Sequence, residues 1–117
     1  FAGAFLKKAF HKESLIDPKD FVEAMKKIIV STPVKTITGA LTALAEREAS
    51  YGILHDISIP TLLICGRQDE LTPVNQSETM HRQIKGSVLK VIEHAGHLSN
   101  LEQEDEFNEA IGEFLSV

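Results

Sequence analysis

Two short apolar runs, separated by a segment with helical periodicity, constrain the fold of this chain more than any other feature. Residues 61–65 are Thr-Leu-Leu-Ile-Cys, and residues 88–92 are Val-Leu-Lys-Val-Ile. Apolar runs of this length are typical of buried strands, because a buried helix needs more residues. Thr72-Pro73 lies between the runs and is a helix-start signal. The unit is therefore predicted to be two parallel strands joined by a right-handed helical crossover.

A parallel sheet of two strands leaves faces and edges uncovered. Parallel sheets need cover on both faces, and each outer strand presents unpaired backbone N–H and C=O groups. We therefore expect further strands from outside these 117 residues. The chain also begins at Phe1 and not at a methionine. We expect it to be the C-terminal part of a longer polypeptide, whether cut by a protease, cloned as a piece or completed by another chain.

The first half of the chain has the periodicity of helices. Apolar spacing predicts a short helix over residues 2–11. Asp17-Pro18 is a start signal for a second helix through residue 29, and Thr32-Pro33 starts a third that runs to about Glu48. The apolar residues of the first two helices form either a core of their own or the lining of an apolar pocket. They are Phe5, Phe10, Phe21, Met25 and Ile29.

An acid and a base follow the two predicted strands. Asp69 comes shortly after the first run, and His97 comes shortly after the second. Reacting groups in open α/β sheets collect on loops beyond the carboxyl ends of the strands, so these side chains can converge. A neutral histidine can take the proton of an attacking hydroxyl group, and an aspartate can orient that histidine.

The stretches Ile-Cys-Gly-Arg-Gln-Asp and His-Ala-Gly-His-Leu-Ser, which contain Asp69 and His97, resemble the C-terminal third of the α/β-hydrolase superfamily. The resemblance is strongest to its esterase, enol-lactonase and C–C-hydrolase branch. In that family a serine on a G-x-S-x-G elbow comes first, then the acid, then the histidine. The resemblance implies that Asp69 is the triad acid and His97 the triad base. The implied fold class is α/β, an incomplete α/β-hydrolase fold with a helical lid followed by β-α-β-α with parallel strands.

The resemblance divides the chain into a helical lid and return helix, residues 1–50, and the C-terminal part of the core, residues 51–117. The nucleophile is missing, because none of the eight serines has glycines at the offsets that G-x-S-x-G requires. The resemblance implies the C-terminal fragment of a serine hydrolase that, when complete, cleaves an ester, lactone or related carbonyl substrate. The fragment alone is predicted to be inactive.

Other functions of this fold stay open. A dehalogenase or an epoxide hydrolase would use an aspartate as the nucleophile, and a C–C hydrolase would cleave a different bond. A non-catalytic protein that binds a small molecule would carry no nucleophile at all. The residue at the upstream elbow distinguishes these functions.

Each candidate residue also has a purely structural interpretation. Asp69 suits a turn before a helix, and His97 suits the first turn of the next helix. A metal site of His94, Glu93 and Asp69 can be drawn, but its spacing matches no zinc motif, so neither a metal nor a cofactor is predicted. Cys65 ends a buried strand, where a free cysteine behaves as a small hydrophobe.

Three histidines in polar settings and three residues that flank Asp69 are predicted to be solvated. They are His11, His55, His81, Arg67, Gln68 and Glu70. His94 is predicted to lie on a loop near the mouth of the site, and Glu104 near the start of the last helix, where an acid suits the helix dipole.

Charge and composition exclude several classes of partner. A net charge of -5 with scattered Lys and Arg argues against a nucleic-acid partner. No apolar stretch reaches the roughly 20 residues that span a bilayer, so no membrane partner is expected. A single cysteine fits a reducing compartment, and a cytoplasmic location is predicted. The predicted partners are a small-molecule ester or lactone substrate and the missing N-terminal half of the same fold.

Overall fold

The structure is a computed structural model that describes residues 1–16 and 20–116. The elements within these residues are α1 (Ala2–Ala9), α2 (Lys12–Ile16), α3 (Asp20–Ser31), α4 (Val34–Glu46), a 3-10 helix (Tyr51–Asp56), β1 (Leu62–Gly66), α5 (Val74–Gln83), β2 (Val88–Ile92), α6 (Ser99–Glu102) and α7 (Glu104–Leu115). Helices thus precede a β-α-β-α unit, and the predicted α/β class is confirmed.

β1 and β2 form a parallel sheet, as the two apolar runs predict. The register pairs Leu62 with Val88 and Gly66 with Ile92. Both strands are buried only near their carboxyl ends, at Cys65, Gly66 and Ile92. Their first residues stay partly exposed, because α5 and α7, which pack on both strands, do not cover the whole sheet. The best-buried end of the sheet is therefore the end from which both loops with candidate residues emerge.

The N-terminal helices share a hydrophobic core. Leu6, Ala9, Phe10 and Val22 are buried together. The partly buried residues packed against them are Phe5, Leu15, Phe21, Met25, Ile29, Leu71 and Leu98. All five apolar residues for which a core or a pocket was predicted belong to this cluster, so the core interpretation applies to each of them. Full burial of a large apolar side chain such as Leu6 or Phe10 contributes about 1.5–3 kcal/mol of transfer free energy.

This core is seated on the two loops that follow the strands. Leu71 lies two residues after Asp69, and Leu98 comes directly after His97. The carbonyl of Ala9, at the end of α1, accepts hydrogen bonds from the backbone N–H groups of His97 (2.8 Å) and Leu98 (3.3 Å). Carbonyl groups in the last turn of a helix have no partner within the helix, so this contact satisfies one of them. The end of α1 therefore fixes the backbone at His97.

Both threonine–proline pairs precede helices, but neither threonine caps its helix. Pro33 and Pro73 are the N-cap residues of α4 and α5, and neither makes a side-chain cap hydrogen bond. The Thr32 hydroxyl donates back into the preceding helix, and the Thr72 hydroxyl donates to Asp69. The start signal at Asp17-Pro18 lies outside the described residues.

α4 is shorter and more exposed than its pattern predicts. It ends at Glu46, and the 3-10 helix that follows was not predicted. Its apolar residues Val34, Leu41 and Leu44 are exposed. Within the described ranges no single helix is long and apolar enough to cross a membrane, and only α3 and α4 taken together, bent by 98°, have that length and composition.

Gly66 lies at the tightest contact between the two loops. A Cβ atom at this position would overlap the carbonyl oxygens of Gly96 and Ala95. These are backbone atoms that cannot rotate away, so we expect Gly66→Ala to lower the free energy of unfolding by about 2 kcal/mol or more. The control is Gly112→Ala in α7, where a Cβ would meet nothing within 4 Å, and it should stabilise the helix by up to about 1 kcal/mol. Urea unfolding measures both variants, and wild-type stability of Gly66→Ala would contradict the contact.

Candidate active site

Asp69 and His97 meet beyond the carboxyl ends of β1 and β2. The Nδ1 atom of His97 lies 2.8 Å from the Oδ2 atom of Asp69. Parallel strands end at the same edge of a sheet, and this places the turn after β1 beside the turn after β2. The pair is therefore assembled by the sheet, although its members lie far apart in the sequence.

The carboxylate of Asp69 is buried and surrounded by donors. Its side chain is 4% exposed. Oδ1 accepts from the backbone N–H groups of Leu71 (2.8 Å) and Thr72 (2.9 Å), and Oδ2 accepts from the Thr72 hydroxyl (2.8 Å) and from His97. Oδ1 thus closes the turn while Oδ2 is directed to the imidazole. The turn interpretation of Asp69 applies to Oδ1, and Oδ2 makes the contact with His97 that the triad interpretation predicts.

These donors set the ionisation of Asp69. Burial alone would raise the pKa of its carboxyl group. The hydrogen bonds from the Thr72 backbone, from His97 and from the Thr72 hydroxyl outweigh burial, and the pKa stays below its ordinary value. Asp69 is therefore ionised at neutral pH, and its carboxylate can only accept hydrogen bonds.

The ionised acid selects one tautomer of His97. Because Asp69 only accepts, Nδ1 of a neutral His97 must carry the proton, and Nε2 keeps a lone pair. The side chain of His97 is 39% exposed, and no described residue hydrogen-bonds to Nε2. The arrangement leaves Nε2 free to accept a proton from a group that approaches from the cavity.

The backbone of the His97 loop is held at three consecutive N–H groups. They donate as follows: Ala95 to Gln68 Oε1 (3.0 Å), Gly96 to Glu102 Oε2 (2.6 Å), and His97 to the carbonyl of Ala9 (2.8 Å). The prediction that Gln68 is only a solvated loop residue was wrong, because its amide bridges the two loops. The loop is thus anchored by the turn after β1, by α6 and by the end of α1.

Glu102 is the residue that the sequence analysis missed. It is 5% exposed. Its Oε1 accepts from the backbone N–H of His11 (2.8 Å) and the hydroxyl of Ser14 (2.7 Å), while Oε2 accepts from Gly96. This carboxylate ties the N-terminal helices to the loop of His97. Carboxylates are almost never buried unless partnered, so a glutamate on a short helix is ordinarily read as solvated.

Other predictions for polar residues had mixed outcomes. His11 was predicted to be solvated and is buried, because its backbone is held by Glu102. His55 and Glu70 are exposed as predicted. His81 is on the surface, and its Nδ1 lies 2.9 Å from the Ser87 hydroxyl.

Two residues of the possible metal site considered from the sequence, Glu93 and Asp69, have other partners in the structure. Glu93 pairs with Arg67, whose Nη2 lies 2.9 Å from Oε1, and Asp69 is bound to His97. Burial raises the pKa of the Cys65 thiol, so its nucleophilic thiolate form is disfavoured at neutral pH.

A cavity of about 550 Å³ opens on the acid–base pair. Its lining residues are Leu44, Arg47, Glu48, Ala49, Ser50, Tyr51, Leu54, Ile64, Cys65, Asp69, Thr72, Gln76, Ser77, Met80, His97 and Ser99. Apolar walls with a few convergent polar groups are typical of small-molecule sites of this volume. No serine hydroxyl in the part of the chain that the structure describes hydrogen-bonds to His97.

Comparisons with known proteins identify the fold family of this chain. The model of the alpha/beta hydrolase fold family matches residues 2–104. The chain is 36% identical over 87 residues to 3-oxoadipate enol-lactonase 1 of Acinetobacter baylyi, covering 74% of this chain and 32% of the relative. It is 40% identical over 62 residues to a proline iminopeptidase of Saccharolobus solfataricus, covering 53% of this chain and 20% of the relative.

Solved structures match almost the whole chain. A thermophilic esterase from Thermogutta terrifontis superposes with a TM-score of 0.90 at 30% identity, covering 98% of this chain and 42% of that chain. A hydrolase from Pseudomonas aeruginosa has a TM-score of 0.89 at 28% identity, covering 99% of this chain and 43% of that chain. The chain thus spans less than half the length of the relatives that it matches.

The bridging role of Glu102 predicts a stability change. Glu102→Gln keeps the shape of the side chain but replaces one acceptor oxygen by an NH2 group. This group would face a donor that hydrogen-bonds to the carboxylate in the wild type. We expect the free energy of unfolding to fall by about 1–3 kcal/mol. The control Glu109→Gln, on the exposed face of α7, should change it by less than about 0.5 kcal/mol. If urea unfolding finds the two variants equally stable, Glu102 does not bridge the loops.

The lowered pKa of Asp69 predicts a pH dependence of stability. The ionised carboxyl group stabilises the folded state above its unfolded pKa of about 3.9, and this contribution is lost as the pH falls through the lower folded-state pKa. The free energy of unfolding should therefore fall more steeply below about pH 5 in the wild type than in Asp69→Asn, which binds no proton there. The control is Glu109→Gln, on the exposed face in the middle of α7, which should keep the wild-type slope. Equal slopes for wild type and Asp69→Asn in urea unfolding would exclude the buried ionised carboxylate.

Proposed function

We propose that this chain, which belongs to the alpha/beta hydrolase fold family, supplies the acid and base of a serine hydrolase that cleaves an ester, lactone or related carbonyl compound. The hydrogen bond between Asp69 Oδ2 and His97 Nδ1 carries the proposal. The similarity to an enol-lactonase and to an esterase supports the choice of substrate class.

The proposed chemistry uses both nitrogens of His97. Nε2 takes the proton of a serine hydroxyl as its oxygen bonds to the substrate carbonyl carbon. The imidazolium that forms is stabilised by the ionised Asp69 through Nδ1–H, and it then gives its new proton to the leaving oxygen. In the second half of the cycle water attacks the acyl carbon and loses a proton to Nε2. The bond to the serine oxygen then breaks, and the imidazolium returns that proton to the serine oxygen, so the acid product, the serine hydroxyl and the neutral histidine are formed. The four donors around Asp69 keep it ionised throughout.

We place the nucleophile in a segment outside these 117 residues. Three observations support this: no G-x-S-x-G occurs, no serine among the described residues hydrogen-bonds to His97, and the matched relatives are much longer, with 32% and 42% of their length covered. The same segment would supply the remaining strands of the sheet and, by family analogy, the backbone N–H groups that stabilise the oxyanion. The 117 residues alone are then inactive.

We further propose that residues 1–50 form a lid and return helix over residues 51–117, the C-terminal part of the core. The hydrogen bonds from His97 to Ala9 and from His11 to Glu102 fit a lid whose first helix is fixed to the catalytic loop. Its buried residues are engaged in their own core. The apolar part of the substrate would then contact the cavity wall at residues such as Tyr51, Leu54 and Met80.

The test uses the complete protein, expressed with the segment that precedes Phe1. A fluorophosphonate probe should label one serine, and hydrolysis of p-nitrophenyl acetate should proceed with a measurable kcat/KM. His97→Ala should lower kcat/KM by about 10⁴ or more, because the serine loses its base, and should abolish labelling. Lactone and prolyl anilide substrates then separate the lactonase-like from the peptidase-like specificity.

The matched control is His55→Ala, which removes an exposed histidine that lies beside Asp56 and does not line the cavity. It should keep full activity and full labelling. Unchanged turnover in His97→Ala would end the assignment of the base. Labelling of no serine in an active protein would favour an aspartate nucleophile, and a protein that binds the ester without turnover would favour a non-catalytic role.

A further inference from the structure

Two histidines and a glutamate lie together outside the Asp69–His97 pair. The Nδ1 atom of His11 lies 3.8 Å from Oε2 of Glu13, and the Nδ1 atom of His94 lies 3.9 Å from the same oxygen. The three potential ligand atoms all lie within 4.8 Å of one another. None of these residues lines the cavity at His97. The cluster is therefore separate from the proposed catalytic machinery.

The ring of His11 keeps access to solvent, although most of the residue is buried. His11 is 7% exposed; its backbone N–H donates to Glu102, and its carbonyl accepts from the backbone N–H of Ser14. Its ring makes no hydrogen bond within residues 1–16 and 20–116, and no buried side-chain nitrogen or oxygen in these ranges lacks a partner, so the ring nitrogens are accessible to water or to an ion. The ligand atoms of the exposed Glu13 and His94 lie within 4.8 Å of its ligand nitrogen.

His94 is held in a strained backbone conformation. Its φ is 54°, and no other non-glycine residue in the described ranges has a positive φ. This region is unfavourable for residues with a Cβ, and such outliers cluster at functional sites. The conformation brings its ring to 6.0 Å from the ring of His11, edge to face. The turn after β2 thus presents an imidazole to the start of α2.

We propose that His11, Glu13 and His94 form a binding site for a divalent transition-metal ion, with Zn²⁺ as the best match. Two imidazoles and one carboxylate are a known donor set for zinc, which leaves a fourth position for water. Hard cations such as Ca²⁺ and Mg²⁺ need oxygen ligands and do not match this set. Tetrahedral zinc with bonds of about 2.0–2.2 Å holds its ligand atoms about 3.3–3.6 Å apart. The exposed side chains of Glu13 and His94 can close the remaining gap by small rotations.

The ion would join two parts of the chain. His11 and Glu13 lie at the start of α2, whereas His94 lies on the turn after β2, three residues before His97. Zinc would therefore clamp the N-terminal helices to the loop of the proposed base, beside the bridge that Glu102 makes. A ligand that binds only the folded state also raises its stability by mass action.

The test is a calorimetric titration of tag-free complete protein with ZnCl₂. The wild type should bind one Zn²⁺ per chain at this site, and Zn²⁺ should raise its Tm. Glu13→Gln and His94→Ala each remove one exposed ligand without disturbing the core, and each should weaken binding at least about tenfold and reduce the rise in Tm. The control His55→Ala, which removes an exposed histidine that also lies beside a carboxylate, should bind zinc as the wild type does.

His97→Ala separates this site from the proposed catalytic pair. It should keep the wild-type affinity for zinc, whatever its effect on hydrolysis, because the readout is binding and not turnover. Loss of zinc binding in His97→Ala would place the ion at the Asp69–His97 pair and overturn the proposal. Wild-type affinity in both Glu13→Gln and His94→Ala would overturn it as well.

Discussion

The buried carboxylate of Asp69 is the constraint on which the site depends. A carboxylate that is 4% exposed remains ionised only where donors replace water. Three of its four donors come from the turn at Leu71 and Thr72, so the turn itself holds Asp69 in place. The fourth donor is His97. The turn after β1 therefore stabilises the ionised carboxylate of Asp69, and the turn after β2 places the imidazole of His97 within hydrogen-bond distance of it.

A second buried carboxylate sets the position of that imidazole. Glu102 forms no ion pair within the described residues, and three donors from the start of α2 and from the His97 loop compensate its charge. Because these donors belong to separate parts of the chain, the N-terminal helices and the loop cannot move apart without exposing or orphaning the charge. Gly66 and Gly96 make this closeness possible, since a Cβ at either would meet backbone atoms. Close backbone packing at the two glycines and the hydrogen bonds of Glu102 therefore both hold the His97 loop against the N-terminal helices.

The sequence predicted the elements whose signals are local. Short apolar runs indicate strands, so the sequence predicted β1, β2 and their parallel arrangement. Because parallel strands end at the same edge of a sheet, the contact between Asp69 and His97 was predicted as well. Glu102, Gln68 and His11 escaped prediction because burial of a polar residue depends on donors far away in the sequence. Leu41 and Leu44 are exposed although they lie on an apolar stripe. Such a stripe indicates that a helix face can be buried, but it does not indicate which residues cover that face.

The tautomer of His97 tests the account most directly. Nitrogen NMR of the complete protein labelled with ¹⁵N-histidine, with the signals of His97 identified by their loss in His97→Ala, reports which ring nitrogen carries the proton at neutral pH. The account predicts a proton on Nδ1, donated to Asp69, and an unprotonated Nε2. A neutral His97 with its proton on Nε2 would contradict it, because that nitrogen could then neither accept a proton nor act as the base.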